Sequence, residues 1–317
     1  MWCWPTSSAG AAGFVGANLV RRLLADGHEV TAAVRPDTNR WRLAGVQPDL
    51  RVLGLDLLDT AAIETVVATA RPDWVFHLAA HGASSWQRDP LRIMQTNALA
   101  TVALAEASRA CDCQAFIHAG SSSEYGFKDH APSEDEPLEP NSAYAAAKAA
   151  ATLYLTHLAA AGELDAVTHS VYGPFEGPHK LVPTLIVRGL CGELPPLVNP
   201  AVARDFIASD DAVEALMLAA RNAPERPGRV YNIGSGRQTT IGELVELVRQ
   251  LLQIEAKPNW GTAPERTWDT QTWVADPRRA AQELGWQPQL DLNEGLSRTI
   301  DWLRSTPETR KAYGLDH

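Results

Sequence analysis

Seven residues near the start of the chain, Gly10-Ala11-Ala12-Gly13-Phe14-Val15-Gly16, limit what it can fold into more than any others. Three glycines at this spacing make a tight turn. The next run, Asn18 to Ala25, reads as a helix with Leu19, Leu23 and Leu24 on one face. Gly27-His28 ends it, and Glu29 to Val34 reads as a strand. A glycine turn that opens a helix and returns as a strand begins a βαβ unit, where missing side chains let backbone N–H groups approach a pyrophosphate. A turn that only packs helix on sheet has the same composition, but its place before helix and strand favours phosphate. The residues ahead of it fit badly. They belong in a buried central strand, yet they read Trp2-Cys3-Trp4-Pro5-Thr6-Ser7-Ser8-Ala9, and proline cannot donate to a ladder. Either a very short first strand or a poorly formed end is expected.

The alternation continues through the first half. Strands are expected at Arg51 to Leu55, Trp74 to Leu78 and Ala115 to His118, with helices at 61–70 and 91–109. The fold class is α/β, a Rossmann-type doubly wound parallel sheet, and residues 1–172 form its dinucleotide-binding domain. Past residue 172, Pro174, Gly177, Pro178, Pro183, Pro195, Pro196 and Pro200 break the chain into short pieces. Helices at 209–221 and 241–252 surround a strand at 229–233, and a last helix spans 293–304. Residues 173–317 read as a smaller substrate-binding part, from which 203–222 return to the first domain.

Composition excludes several classes of function. The 317 residues are 45% apolar and 21% charged, as in an ordinary globular protein. A net charge of −10 argues against nucleic acid or an anionic membrane as partner, so a bound phosphate must be held by local Arg, Lys and backbone N–H groups. No apolar stretch reaches the ~18 residues of a membrane span, and no charged-then-apolar leader stands at the start. A cytoplasmic location is expected. Cys3, Cys111, Cys113 and Cys191 lack metal spacing; Cys111-x-Cys113 reads as reduced thiols before it reads as a ligand or redox pair. His81, His118 and His169 form no metal set either, so no metal is expected.

Tyr144 and Lys148 stand four apart in the alanine-rich run 142–148, on one helical face. A phenol has an ordinary pKa near ~10, and a fixed ammonium beside it favours the phenolate, making the tyrosine a usable acid and base. Ser142 or Asn141 can cap that helix. Arg35 closes the second strand where an acidic residue would bind the ribose of NAD; arginine there suits a 2′-phosphate, which favours NADP over NAD. Asp56, after the third strand, is placed for an adenine edge or for capping a helix.

Together Gly10/Gly13/Gly16, Asp56, His77-Leu78-Ala79-Ala80, Asn97, 121–126, Tyr144/Lys148, 171–174, Arg204-Asp205-Phe206, Asp210-Asp211, 232–236 and 284–288 resemble one family in order and spacing. They resemble the extended short-chain dehydrogenase/reductases, specifically the NAD-dependent epimerase/dehydratase family acting on nucleotide sugars. The resemblance implies that Gly10, Gly13, Phe14, Val15, Gly16, Arg35, Asp56, Leu57, Leu78, Ala79, Ala80 and Asn97 line the NAD or NADP site. It makes Tyr144 the acid/base that exchanges a proton with a sugar hydroxyl as hydride moves to or from nicotinamide. Lys148 then holds the ribose and lowers the Tyr144 pKa, Ser122 orients the same hydroxyl, and Asn97 supports the lysine side. Ser123, Ser170, Arg204 and Arg266 fall on the substrate side, the arginines against a diphosphate. The resemblance also implies a homodimer joined by four helices, for which 98–107 and 143–161 offer small-residue faces.

The reaction expected is at C4 of a nucleotide-diphosphate sugar, as 4-epimerase or 4-ketoreductase. Glu124 keeps a 4,6-dehydratase open, because dehydratases use an acidic pair in this turn, although serine replaces the usual aspartate; otherwise Glu124 is a loop carboxylate. Trp260, Trp268, Trp273 and Trp286 read as core residues before base-stacking ones. The segment before Tyr172 is about four residues short of the family pattern, and Ser170 stands where an asparagine is usual. The poor first strand and this short segment support a rival reading, a dinucleotide-binding protein without catalysis.

Overall fold

A computed structural model describes residues 5–84, 86–158, 164–168, 170–264, 270–305 and 307–315. Its strands are β1 (Pro5–Ala9), β2 (Glu29–Val34), β3 (Leu50–Gly54), β4 (Trp74–His77), β5 (Ala115–Ala119), β6 (Leu164–Thr168), β7 (Ser170–Tyr172), β8 (Ala203–Arg204), β9 (Phe206–Ala208), β10 (Asn232–Ile233) and β11 (Thr239–Thr240). Seven of them make one sheet in the order β10-β6-β5-β4-β1-β2-β3, every pair parallel. The order reverses between β1 and β4. In doubly wound sheets the crevice at such a reversal is where ligands bind.

The awkward first strand is formed. It runs five residues in the middle of the sheet, in register with β2 from Pro5↔Glu29 and with β4 from Thr6↔Trp74. Pro5 is tolerated because it is the strand's first residue, before pairing with β4 begins.

The helices are α1 (Phe14–Ala25), α2 (Thr60–Ala70), α3 (Pro90–Met94), α4 (Ala100–Arg109), α5 (Ala143–Leu158), α6 (Leu181–Leu190), α7 (Ser209–Asn222), α8 (Ile241–Leu252), α9 (Arg278–Leu284), α10 (Leu292–Ser305) and α11 (Pro307–Ala312). One helix expected over 91–109 is interrupted: α3 and α4 are joined by a π-helical segment, Gln95–Leu99. Leu19, Val20 and Leu23 of α1 share one core with Val213, Leu216 and Met217 of α7. On the other face Ile63 and Val67 of α2 pack with Leu104 of α4 and Leu155 of α5. A separate core gathers Leu185 and Ile186 of α6, Leu244 and Val248 of α8, and Leu296, Ile300 and Leu303 of α10. The strand expected at 229–233 shrinks to Asn232–Ile233, whose asparagine is claimed by side chains: Tyr125 Oη donates to Asn232 Oδ1 at 3.0 Å and Asn232 Nδ2 donates to Pro132 O at 2.9 Å.

Two acidic residues tie the C-terminal half together. Asp205, fully buried, accepts from the backbone N–H groups of Ser235, Gly236 and Ala275. Asp211 accepts from those of Gln289 and Leu290, while Trp286 Nε1 donates to its carbonyl. Trp286 is thus a core residue, as expected. No helix among the described residues is long and apolar enough to cross a membrane.

Candidate active site

The glycine turn is shaped by contact. Gly10 adopts φ +100°, and a Cβ there would sit 2.6 Å from Ala79 N. At Gly16 a Cβ would meet Gly10 O at 2.2 Å, so the turn closes only if both lack side chains. Gly13 N donates to Gly10 O at 2.8 Å and Gly13 is the N-cap of α1. Phe14 and Val15 begin that helix, whose first turn carries no acidic residue. Its open N–H groups and positive dipole end therefore face the sheet crevice without a competing anion. That cradle fits a dinucleotide pyrophosphate.

At the neighbouring strand ends, Arg35 is half exposed, with its Nε 3.8 Å from Asp37 Oδ1. Asp56 is exposed and accepts from Leu58 N at 3.0 Å, while the cap of α2 is Asp59, which accepts from Ala62 N. Leu57 and Leu78 are partly buried, against separate cores. Ala79 abuts Gly10, and Ala80 is exposed.

Asn97 is fully buried in the π-helical segment. Its amide clasps the backbone of His81, accepting from His81 N at 2.8 Å and donating to His81 O at 2.7 Å. The expected support of the lysine side is therefore indirect: Asn97 fixes the loop after β4. Gly82 in that loop brings its backbone against the Tyr144 ring, 3.4 Å from where its Cβ would stand.

β5 runs directly into the serine turn. Ser121 caps the short 3-10 turn Ser122–Tyr125 in a capping box: Ser123 N donates to Ser121 Oγ at 3.3 Å and Ser121 N donates to Glu124 Oε1 at 2.6 Å. The Ser121 hydroxyl draws the Tyr144 phenol down and lies 2.7 Å from Ser123 Oγ. Ser122, the expected partner of the substrate hydroxyl, instead accepts from Trp273 Nε1 at 3.1 Å. Of the three serines, Ser121 is the one whose hydroxyl acts on the Tyr144 phenol. Its signal was in the sequence: Ser-x-x-Glu at a strand end is a capping box, which makes its serine the last extended residue.

Glu124 is 1% exposed, and both carboxylate oxygens are taken, the second by Thr152 Oγ1 at 2.7 Å. Burial pushes it up to about 7 despite those hydrogen bonds and nearby Lys148. Tyr144 and Lys148 sit one turn apart in α5, where Ala145 N donates to Ser142 Oγ at the start. The Tyr144 ring is partly accessible but its hydroxyl is enclosed, and burial pushes the phenol up to about 12, against the pull of Ser121. The expected lowering by Lys148 is not found, because the ammonium is turned onto β5, 2.7 Å from Ala119 O and 3.4 Å from His118 Nε2.

On the substrate side, Ser170 is partly buried at the start of β7, which pairs with β9, so the short segment before Tyr172 still closes a ladder. Arg204 in β8 donates to Ala203 O at 2.6 Å and holds its guanidinium 5.4 Å from the Trp273 ring. Trp273, Arg204 and Ser122 thus form one wall, and a pocket beside it is flanked by Lys128, His130 and Thr272. Arg266 and Trp268 lie outside the described residues, as do Cys3 and His169. No cluster able to hold a metal ion occurs among the described residues.

Comparison with known proteins extends these observations over the whole chain. The model of the NAD dependent epimerase/dehydratase family matches residues 9–234. A UDP-glucose 4-epimerase of Mycolicibacterium smegmatis is 32% identical over 313 residues, covering 95% of this chain and 98% of its own. A dTDP-glucose 4,6-dehydratase of Streptomyces griseus is 32% identical over 314 residues and covers 92% of both chains. Among solved structures, a Thermotoga maritima UDP-glucose 4-epimerase with UDP-glucose superposes at TM-score 0.84 with 27% identity, covering 94% of this chain and 98% of its own. A Streptomyces venezuelae dTDP-glucose 4,6-dehydratase with NAD bound gives the same TM-score and identity over 95% of this chain and 97% of its own. With its parallel sheet, glycine turn and Tyr144/Lys148 helix, the chain belongs to the NAD-dependent epimerase/dehydratase family of enzymes.

Proposed function

We propose that this enzyme uses NAD to act at C4 of a nucleotide-diphosphate sugar, as a 4-epimerase or 4-ketoreductase. One observation carries the reading: Tyr144 and Lys148 stand one turn apart on α5, and the Ser121 hydroxyl in the turn after β5 acts on the Tyr144 phenol. The glycine turn at the start of α1 would hold the dinucleotide, which when bound would supply the acceptor for the C4 hydride and positive charge that favours the phenolate. Tyr144 takes the proton from the C4 hydroxyl and, as the neutral phenol, returns it to a C4 ketone. Ser121 holds the oxygen between them, and Lys148 supplies cationic charge from the next turn.

Residues 1–172, joined by 203–222, hold the dinucleotide, and 173–317 hold the nucleotide sugar. Arg204 faces its diphosphate, with Ser170 and Ser123 beside the sugar. Arg35 offers charge to a 2′-phosphate, but Asp37 shares that charge and would repel the phosphate, which supports NAD. Relatives of both reaction types stand equally near, so the turn after β5 has to choose between them. Its carboxylate, Glu124, is enclosed with both oxygens engaged, an arrangement unsuited to a base at C5 of the sugar. The cytoplasm is the proposed location.

The test is incubation with NAD and UDP- or dTDP-glucose, with products resolved by proton NMR. A 4-epimer, or reduction of a supplied 4-keto sugar, is expected. A 4-keto-6-deoxy product would replace the reading with a dehydratase. Neither turnover nor bound dinucleotide would leave a non-catalytic protein.

A further inference from the structure

Beneath Lys148 lie two histidines that the proposed reaction does not use. His77 ends β4 and His118 lies in β5; they are partners in the parallel register, both fully buried, with ring centroids 5.0 Å apart and planes inclined by 34°. Burial and the Lys148 charge push both imidazoles down, His77 to about 3. Each ring is therefore neutral at physiological pH, with one N–H and one lone pair.

The neighbours decide where each proton sits. Lys148 Nζ stands 3.4 Å from His118 Nε2, and an ammonium can only donate. His118 Nε2 is thus the acceptor, and its proton is on Nδ1, a buried atom with no hydrogen-bond partner of its own among the described residues. The Thr101 hydroxyl spends its proton on Asn97 O at 2.7 Å, so at 2.9 Å from His77 Nε2 it accepts. His77 therefore carries its proton on Nε2. The stacked rings are opposite tautomers, and the His77 branch continues through Thr101 to Asn97, which clasps the loop beside Tyr144.

We propose that His118 is a positioning residue for Lys148: its Nε2 lone pair and Ala119 O anchor the ammonium at two points on β5, so the sheet fixes its direction before any ligand arrives. The choice of a neutral acceptor has a physical reason. A carboxylate at this distance would cancel the ammonium charge, whereas a neutral imidazole accepts from it and leaves that charge uncancelled. Besides the two histidines, Glu124 is the ionisable group near Lys148 among the described residues. The proposal rests on the C4 reading only for what Lys148 does next.

The test compares His118→Gln, whose amide oxygen can accept from Lys148, with His118→Leu, which fills the space without an acceptor. His118→Leu is expected to lower kcat about tenfold, leaving KM for the nucleotide sugar within about twofold, while His118→Gln stays within about threefold of wild type. Leucine matching wild type, or glutamine falling as far as leucine, would overturn the proposal. Nitrogen-15 spectra of the histidine rings in the wild-type chain provide a readout independent of turnover and of variant folding. They should show His118 protonated on Nδ1 and His77 on Nε2, both neutral at pH 6. A His118 that carries its proton on Nε2, or titrates near its ordinary ~6.5, would sink the anchor. Should the wild type act on no nucleotide sugar while these tautomers hold, the C4 reading fails and the anchor stands.

Discussion

Ser121 and Ser122 are adjacent, yet the Ser121 hydroxyl acts on the Tyr144 phenol while that of Ser122 accepts from the Trp273 indole. Assays of single variants should separate them. Tyr144→Phe removes the acid/base and is expected to lower kcat about 10³-fold, and Ser121→Ala about 10²-fold, within the usual range for proton-transfer groups. Ser122→Ala should stay within about threefold, since it loses only a wall contact. A Ser122→Ala variant crippled as badly as Ser121→Ala would reverse the assignment. The run of serines hid this choice in the sequence: residue type is constant there, and only backbone geometry distinguishes the three. Glu124 was legible as a carboxylate in the turn, but its enclosure by Thr152 comes from α5, 28 residues on. Its raised value gives a pH effect with a definite sign. An unfolded glutamate titrates near ~4.3, so the stability from keeping Glu124 neutral is complete below that pH and is lost as pH rises to about 7. Glu176, buried and pushed up to about 8, acts in the same direction. His77 and His118, pushed down, act the other way, so the test is a difference: between pH 5 and pH 8, thermal melts of Glu124→Gln should show a smaller decline or a larger rise in stability than those of the wild type. The same change in that variant as in the wild type would mean that Glu124 is ionised in the folded protein.

Among the elements, those with local signals were read closely. Strand β2 and helix α8 have the expected bounds, the latter because Thr240 and Glu243 form a capping box at its start. The π-helical segment between α3 and α4 had no such signal, since it arises from the tertiary demand that Asn97 reach His81. That demand can be measured. Asn97→Ala leaves the N–H and C=O of His81 without their partners, at an expected cost of ~2–4 kcal/mol by denaturant titration. A loss below ~1 kcal/mol would mean that water or another group replaces the amide. The glycine turn was legible because its requirement is also local. Gly16→Ala should abolish dinucleotide binding in calorimetry, because the new methyl collides with Gly10 O and opens the cradle. The proline that speaks against β1 in the sequence is the strand's first residue, where pairing with β4 has not begun.

For the whole molecule, the outer faces of two adjacent helical elements remain open. Leu91 is 73% exposed and Leu99 63%, on α3 and at the end of the π-helical segment, and Leu153 of α5 is 62% exposed. Eight residues separate the first two, more than two α-helical turns, but the π-helical segment takes up the extra residue and returns them to one stripe. On α5, Ala146, Ala150, Leu153 and His157 form the matching outward row, spaced by three and four. Many of the small residues expected to form this face, such as Ala98, Ala105 and Ala147, are buried within the subunit, so leucines supply most of its apolar surface. We propose that a second copy covers it, two helical elements from each side making a four-helix contact. Sedimentation at micromolar concentration should give a dimer for the wild type. The double variant Leu99→Glu/Leu153→Glu places charge in the middle of the contact without touching the core or the site, and should sediment as a monomer that still binds NAD. A monomeric wild type would remove the proposal. A variant that stays dimeric would move the interface elsewhere on the molecule.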